Sequence, residues 1–334
     1  MALNKSIKIF VNYLLGPALF VWLSWSIYVQ LRHQPNLREH IHTLRQAIAN
    51  GPQWRLYVII LLMIINWGLE SRKWQALLKN LEPMSFLRSF KAILSGLAFA
   101  MNTPNRIGEY GGRILHVREG RRLQAVSLTV AGSMSQLLVT LFMGCLGMSL
   151  LREHLISVMG GGAPLIWLNI FRFVTAFFTF AGLLLYFRLG WIVQGIDRIP
   201  ALSSISRHIS VMEELTVSVL LRVLVLSLMR FLVFGIQYIL MLHFLQVDID
   251  WWSGFWTVSI LFLLLAMVPT VALLEIGLRW EYSLLLFGMF SSNAVGIYAA
   301  ATGIWLINLA VPALAGSILI LGVRIFSDRE SMAS

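Results

Sequence analysis

The sequence predicts an all-α, polytopic integral membrane protein with about six spanning helices and two re-entrant helical hairpins in an inverted repeat. Composition, a series of apolar segments and a motif that occurs once in each half predict this fold. Of the 334 residues, 58% are hydrophobic and only 12% are charged, and the mean hydropathy is +0.78. Soluble domains carry about 25% charged residues, so this chain is expected to reside in a membrane.

Six apolar segments are long enough to span a bilayer, which takes about 20 residues. Two shorter apolar segments, 86–102 and 254–271, each end in a stretch with a proline and glycines, which interrupt helices. We expect these two segments to be the first arms of re-entrant hairpins, with return arms at 108–120 and 276–292. The six predicted spans are 8–31, 54–70, 123–150, 164–187, 219–245 and 297–322.

The two interruptions carry the same motif. The copies occupy 100–113 and 266–279, and each has Ala-Met, a proline and then Glu-x-Gly-x-Arg. Paired helix interruptions in matching positions of two halves indicate the substrate site of a transporter. We therefore interpret 1–334 as a single transmembrane domain with repeat halves of about 1–167 and 168–334, and expect no soluble catalytic domain.

The distribution of positive charge predicts the orientation. With a cytoplasmic N-terminus, the predicted internal segments contain 18 Lys and Arg residues and the external segments contain 6. Cytoplasmic loops are enriched in these residues, so we expect both termini in the cytoplasm and a plasma (inner) membrane location. The first hairpin then enters from the cytoplasm and the second from outside, as an inverted repeat requires.

Each motif contains a Glu–Arg pair, Glu109 with Arg113 and Glu275 with Arg279, at the spacing that places two side chains on one helix face. Two interpretations are open. The pairs are salt bridges that hold the hairpins shut, or the arginines bind a phosphate through two parallel hydrogen bonds while the glutamates gate the site or couple to protons. The repetition favours the second interpretation, with Arg106 as a further substrate-binding residue.

Residues that break the helices accompany these pairs. Proline lacks a backbone donor and disfavours helix in the residue before it. Glycine lets a backbone approach a ligand closely or turn left-handed. The predicted hairpin breaks are Asn102, Pro104, Gly111, Gly112, Pro269 and Gly277.

Three further charged features have distinct interpretations. The cluster of Arg118, Arg121 and Arg122 attracts anionic lipid headgroups or only sets the orientation. Arg230 lies too deep in a predicted span to reach water, so we expect it to pair or to face a cavity. Glu70 is interpreted as an interfacial cap at the end of the second span.

The sequence shows no constellation for catalysis. None of the seven histidines has metal-ligand spacing, and the chain has only one cysteine. We expect no metal or cofactor and favour a non-enzymatic role. Serines and threonines in 123–140 are expected to pack helices together or to hydrogen-bond across them. The net charge of +11 reflects membrane topology rather than nucleic-acid binding, since no basic soluble domain is present to carry it.

The first motif, Arg106-Ile107-Gly108-Glu109-x-x-x-Arg113 before a basic loop, resembles the first motif of the lysylphosphatidylglycerol synthase transmembrane-region family. Its members are also called flippase-like domain or UPF0104-type integral membrane proteins. The family's second motif, a proline followed by Gly-x-Gly-x-Arg-Glu, is similar to Pro269, Gly277, Arg279 and Glu281. The resemblance covers essentially the whole chain and implies a relative of the lipid-translocating half of the synthases that make and flip aminoacylated phosphatidylglycerol.

The chain departs from the family's pattern in two places. The family has a Glu-Arg pair and an aspartate in the helix after the first motif, where this chain has Gly132-Ser133-Met134-Ser135-Gln136. The family's glycines before Gly277 are replaced by Leu273, Leu274 and Glu275. These departures indicate a different substrate.

We therefore expect the protein to translocate (flip) or bind an anionic membrane lipid, such as a phospholipid or a polyprenyl-phosphate-linked carrier. The alternative is the membrane subunit of a lipid-modifying enzyme of the aminoacyl-phosphatidylglycerol type, whose transferase is a separate chain. A third interpretation is a membrane scaffold, which predicts sealed charge pairs and no cavity between the hairpins.

Overall fold

The described part of the chain is almost entirely helical. A computed structural model of the protein describes residues 51–101, 103–104, 106–159, 163–198, 208–269 and 275–320, together with scattered positions between 17 and 49. Within these residues the secondary structure is helix and connecting loop, without a β-strand. The predicted all-α class is confirmed for this part of the chain.

The α-helices of the described part are numbered in chain order. They are α1 (Gln53–Leu78), α2 (Phe86–Ala100), α3 (Gly108–Ile114), α4 (Arg122–Leu150), α5 (Arg152–Met159), α6 (Ala163–Phe187), α7 (Leu189–Asp197), α8 (Val217–Phe244), α9 (Trp251–Met267), α10 (Glu275–Phe287), α11 (Ala294–Trp305) and α12 (Val311–Ile320). A π-helical turn, Leu306–Ala310, joins α11 to α12.

Five helical stretches of the described residues are long and apolar enough to cross a membrane. They coincide with five of the six predicted spans, and the remaining prediction, 8–31, lies mainly outside the described residues. The protein is therefore a multi-pass α-helical membrane protein. The five stretches are Gln53–Leu78, Glu119–Leu150, Leu165–Phe187, Val217–Phe244 and Ala294–Ile320.

Local sequence determines where several helices begin and end. The Asp250 carboxylate accepts a hydrogen bond from the Ser253 backbone N–H at 2.9 Å, which caps α9. Asn293 caps α11 in the same way, through the Gly296 N–H at 2.9 Å. At the other end of α9, Val268 has an extended backbone (φ −99°, ψ 112°) because a proline follows it.

Helix α2 packs closely against two neighbours. A Cβ atom on Gly112 of α3 would lie 2.5 Å from the Ser95 carbonyl oxygen, and one on Gly316 of α12 would lie 1.9 Å from that of Leu94. Membrane helices approach this closely only where a small residue forms the contact. Elsewhere, α1 packs along α8, and α4 packs against α6 and α9. These contacts bring α1, α3, α4, α8 and α9 around one cavity.

Candidate functional site

A buried carboxylate, Glu70 of α1, lies at the centre of a cluster of cations. Its Oε1 is 2.7 Å from the Arg113 guanidinium of α3. Its Oε2 is 2.7 Å from the Lys73 ammonium and 2.7 Å from the Arg230 guanidinium of α8. The Glu70 side chain is only 4% exposed, so its charge is compensated by these three cations rather than by water. The interpretation of Glu70 as an interfacial cap was wrong, because α1 continues to Leu78.

The predicted i, i+4 pair of the first motif is present. Glu109 forms a salt bridge with Arg113, which therefore contacts two carboxylates. The Glu109 side chain is 21% exposed, about five times as much as that of Glu70. Arg113 itself is buried. Of the two carboxylates that contact Arg113, Glu109 is thus the more accessible.

Charged and apolar residues line a cavity of about 510 Å³ between these helices. One part of its wall is ionic, with five cationic and two anionic side chains among the described lining residues. These are Lys73, Arg106, Arg113, Arg230, Arg279, Glu70 and Glu109. The other part is apolar and includes Trp67, Leu137, Phe231, Phe234, Phe262 and Leu265. A cavity of this kind suits a molecule with an anionic group at one end and a hydrocarbon portion at the other.

The cavity lies near the middle of two spanning helices. Arg230 occupies the midpoint of the 28-residue α8, and Leu137, which is 46% exposed, lies near the midpoint of the 29-residue α4. Ser133 of α4 and Ala266 of α9 are exposed and also line the cavity. The open side of the cavity is therefore bordered by exposed residues from the middle of α4 and from the end of α9.

The second motif reaches the same cavity. Pro269 and Arg279 are lining residues, and Arg279 is only 6% exposed. Gly277 is not among the lining residues, and a Cβ atom placed on it would meet nothing within 4 Å. The side chain of Glu275, and with it the predicted pairing with Arg279, lies outside the described part of the chain. Glu281 is exposed.

The connection between α2 and α3 contains the helix break of the first motif, and its described residues include an unusual backbone conformation. Arg106 adopts φ 58°, which is uncommon for a residue other than glycine and is typical of functional sites. The Thr103 hydroxyl accepts a hydrogen bond from the Gly108 N–H at 2.8 Å and donates to the Phe99 carbonyl at 3.2 Å. Pro104 lies in this connection between α2 and α3. The predicted break at Asn102 lies outside the described residues.

The glycines of the first motif differ in their surroundings. Gly112 contacts the backbone of α2 at Ser95 and Gly96, so it allows close helix packing. The adjacent Gly111 faces open space, with nothing within 4 Å of a Cβ position. Neither glycine is among the residues that line the cavity.

The basic cluster after the first motif lies away from the cavity. Arg118 and Arg121 are exposed, and Arg122 is partly buried. Arg121 donates to the Leu81 carbonyl, and Arg122 Nε donates to the Val117 carbonyl at 3.2 Å. The predicted attraction of headgroups stays a prediction.

A histidine beside this cluster is held in its neutral form. His116 is 8% exposed, and its Nε2 lies 2.9 Å from the Ser95 hydroxyl. Burial, together with the positive charges of Arg88 and Lys91, lowers the pKa of His116 to about 4. Its role is therefore structural at neutral pH.

The hydroxyl groups of α4 connect helices, as the sequence predicts. Ser135 lies 2.7 Å from the Ser227 hydroxyl of α8, and Thr129 accepts from the Trp74 indole at 3.2 Å. Among the described residues, no three His, Cys, Asp or Glu side chains come together as a metal site requires.

Sequence reasoning did not identify Lys73, Asn66 or Trp67 as part of the site. Asn66 Oδ1 accepts from Arg230 Nε at 2.9 Å, and the Trp67 ring lies 5.0 Å from the Arg230 guanidinium carbon. The sequence does contain a pattern that indicates this role. Polar residues recur every three or four positions on α1, at Asn66, Glu70 and Lys73. This spacing places a polar stripe on one face of an otherwise apolar helix.

Comparisons with known proteins do not assign this chain to a family. No family model matches the sequence, and a search of curated proteins gives no significant match. The resemblance to the lysylphosphatidylglycerol synthase transmembrane-region family therefore stays a prediction. The fold and the cavity define a multi-pass membrane protein with a cationic, partly apolar site inside its helical bundle.

Proposed function

We propose that this protein binds a phosphate-bearing anionic lipid in the cavity and translocates it across the membrane. One observation carries the proposal: both copies of the motif contribute to one cavity. Arg106, Glu109 and Arg113 come from the first copy, and Pro269 and Arg279 come from the second. Paired broken helices around one site are the arrangement found in secondary transporters.

We infer that α2 with α3 and α9 with α10 are the two re-entrant hairpins of an inverted repeat. Helices α2 and α9 contain 15 and 17 residues, fewer than the roughly 20 that a full span takes. Each is followed by a connection that contains a proline and leads to a second helix. Hairpins that enter from opposite faces bring their tips to a similar depth, beside the cavity that Arg113 and Arg279 both line.

The lining of the cavity suits the two parts of a lipid. Guanidinium groups donate paired hydrogen bonds to phosphate oxygens, and the aromatic and aliphatic wall accommodates the start of an acyl or prenyl chain. The exposed Leu137 at the middle of α4 borders the open side. Hydrocarbon surrounds a spanning helix at this depth, so a lipid chain can remain in the bilayer while its headgroup occupies the cavity.

Glu109 is the residue best placed to control entry. In the structure Glu109 forms a salt bridge with the Arg113 guanidinium, and its side chain is more exposed than that of Glu70. An incoming phosphate competes with Glu109 for the Arg113 guanidinium. The deeper carboxylate, Glu70, keeps its own contact with Arg113 during this exchange. The scaffold interpretation predicts no cavity between the hairpins, and the volume of about 510 Å³ argues against it.

Lipid binding by the purified protein tests the proposal. In native mass spectrometry with phosphatidylglycerol, we expect Arg279→Lys to weaken binding, because one ammonium cannot replace a two-pronged guanidinium contact. Arg222→Lys is the matched control, since Arg222 is an exposed arginine of α8 that does not line the cavity. Equal lipid binding by wild type, Arg279→Lys and Arg222→Lys would contradict a phosphate site in the cavity.

A further inference from the structure

A smaller compartment of about 60 Å³ adjoins the main cavity. The two spaces share six lining residues, so they are continuous, and Trp67, Arg106 and Arg279 are among the six. The remaining described lining residues belong to α11 and to the π-helical turn that follows it, and they include Asn308. A group attached to a phosphate that contacts the arginines can therefore extend into the compartment.

Asn308 carries a buried acceptor in the wall of this compartment. The residue is 2% exposed, and its Nδ2 donates to the Ile304 carbonyl, one turn earlier, at 3.2 Å. This bond identifies which end of the amide is the oxygen, because a carbonyl oxygen accepts and cannot donate. Oδ1 is the polar atom that remains, and it has no hydrogen-bond partner among the described residues.

Trp67 lines the same compartment and carries a buried donor. The residue is 4% exposed, and its indole Nε1, which only donates, likewise has no hydrogen-bond partner within the described part of the chain. The face of the ring is engaged separately, by the Arg230 guanidinium at 5.0 Å. One buried donor and one buried acceptor, each without a bond to the described residues, thus belong to the wall of one small compartment.

The backbone around Asn308 also indicates a functional position. Asn308 is the third of the five residues of the π-helical turn Leu306–Ala310. Single π-helical turns within α-helices are rare and occur frequently at functional sites. Buried polar groups in folded proteins are nearly always hydrogen-bonded, and an unsatisfied one is destabilising. Two such groups in one compartment that opens into the cavity therefore indicate a bound group that satisfies both.

We propose that Trp67 and Asn308 bind the hydroxyl portion of a lipid headgroup, beyond the phosphate. This inference rests on the proposed lipid-binding function and names the headgroup class, a phosphodiester whose alcohol carries a free hydroxyl. A hydroxyl accepts from the Trp67 indole and donates to Asn308 Oδ1. An ammonium group only donates, and an ionised phosphate or carboxylate oxygen only accepts. Each of these would leave one of the two side chains unsatisfied.

The rest of the compartment suits a small, uncharged alcohol. Phe234, Ile304 and Leu309 contribute hydrocarbon to its wall, which contacts the methylene groups of an alcohol without demanding further hydrogen bonds. The volume of about 60 Å³ accommodates a few water-sized groups. This is room for the end of a short alcohol that is esterified to a phosphate in the main cavity.

Two lipids that differ only in the hydroxyl test the inference. Both are dioleoyl phosphodiesters of the same charge, and the alcohol is 2-hydroxyethyl in one and propyl in the other. A hydroxyl is thereby exchanged for a methyl group of similar size. In nanodiscs of dioleoyl phosphatidylcholine, we expect the hydroxyethyl lipid to bind about tenfold more tightly, since the propyl lipid leaves buried hydrogen-bonding groups unpaired.

Substitutions at two positions localise the preference. Trp67→Phe removes the indole donor and keeps an aromatic face for Arg230, and Asn308→Leu removes the acceptor at similar volume. Each should bring the affinities of the two lipids close to equality. The substitutions lie on different helices, so misfolding of one leaves the other informative, and thermal stability is measured for each.

A second tryptophan provides the matched control. The Trp256 indole N–H is also buried without a partner among the described residues, yet Trp256 lines neither space. Trp256→Phe should therefore keep the preference for the hydroxyethyl lipid. A preference that persists equally in Trp67→Phe and Asn308→Leu would overturn the assignment to these side chains.

The remaining outcomes separate this inference from the proposed function. Equal binding of the two lipids by the wild type, with both weakened by Arg279→Lys, would overturn the hydroxyl assignment and leave the anionic-lipid site intact. If neither lipid binds more tightly than phosphatidylcholine, both proposals fail. The hydroxyethyl diester of glycerol 3-phosphate, without acyl chains, should bind at least about tenfold more weakly than the lipid. Equal affinity would identify a soluble ligand and contradict both proposals as statements about a lipid.

Discussion

Glu70 and Arg230 form a salt bridge of 2.7 Å across 160 residues of sequence and join α1 to α8. The other oxygen of Glu70 is 2.7 Å from Arg113, which joins α3 to the same centre. One buried carboxylate of α1 thus links α8 and α3, the helix that contains the Glu–Arg pair of the first motif. The position of the first motif in the bundle depends on this carboxylate as well as on apolar packing.

Removing the Glu70 charge should destabilise the protein. Glu70→Gln leaves Lys73, Arg113 and Arg230 without their shared counter-charge, and breaking a buried ion pair costs about 3–5 kcal/mol. Unfolding by SDS in mixed micelles measures the change. The control is Glu281→Gln at an exposed position of α10, which should change the free energy of unfolding by no more than about 0.5 kcal/mol. A Glu70→Gln protein as stable as this control would contradict the central position of Glu70.

Two adjacent glycines of α3 should respond differently to substitution. In Gly112→Ala the new methyl group would lie 2.5 Å from the Ser95 carbonyl oxygen, and such overpacking costs about 1–3 kcal/mol. In Gly111→Ala the methyl group meets nothing within 4 Å, and alanine favours helix by up to about 1 kcal/mol. Thermal unfolding of both variants in the same detergent provides the comparison. Equal stabilities would show that α2 and α3 do not approach each other this closely.

The stability of the protein should depend on pH through His116. Its folded-state pKa of about 4 lies below the ordinary histidine value of about 6.5. Between these values the unfolded chain binds the proton more tightly, so stability is complete above about pH 6.5 and decreases as the pH falls toward 4. Thermal unfolding between pH 7.5 and about pH 4.5 measures the slope. We expect His116→Gln to flatten it, and an identical slope in the variant would assign the effect to other groups.

The two hairpin tips should be reachable from opposite sides of the membrane. Ile107 and Met267 are 60% and 50% exposed and adjoin the two breaks. In a Cys145→Ala background, which removes the only native cysteine, a cysteine at 107 should react with an impermeant maleimide added to the cytoplasmic face. A cysteine at 267 should react from the other face. Reaction of both from one face alone would rule out the inverted arrangement.

The spans were predictable from sequence because each is a long apolar run with few charges. The end of α1 was not. Charged residues from Glu70 onward suggested that the helix leaves the membrane at that point, yet α1 continues to Leu78. Its charges are tolerated because Arg113 and Arg230, which are distant in sequence, compensate them together with Lys73. Local composition does not reveal such partners.

The candidate site was predictable in part, because repetition indicated which charges matter. The motif identified Arg106, Arg113 and Arg279, which all line the cavity. It also suggested that the glycines approach a ligand, whereas Gly112 contacts a neighbouring helix. A glycine has no side chain from which its partner can be deduced. Contact with a ligand and contact with a neighbouring helix both require that the backbone approach closely, so the sequence does not distinguish them.

Translocation in proteoliposomes tests the central claim most directly, which is that a cavity formed by both motifs carries a phosphate-bearing lipid across the membrane. The measurement is the rate at which phosphatidic acid, labelled on its acyl chain, moves from the inner to the outer leaflet. Dithionite added outside the liposomes destroys the label in the outer leaflet and so reports this movement. The account predicts that wild type and Arg222→Gln accelerate exchange above protein-free liposomes, and that a stably folded Arg279→Gln does not. Exchange by Arg279→Gln at the wild-type rate, or no acceleration by the wild type, would contradict it.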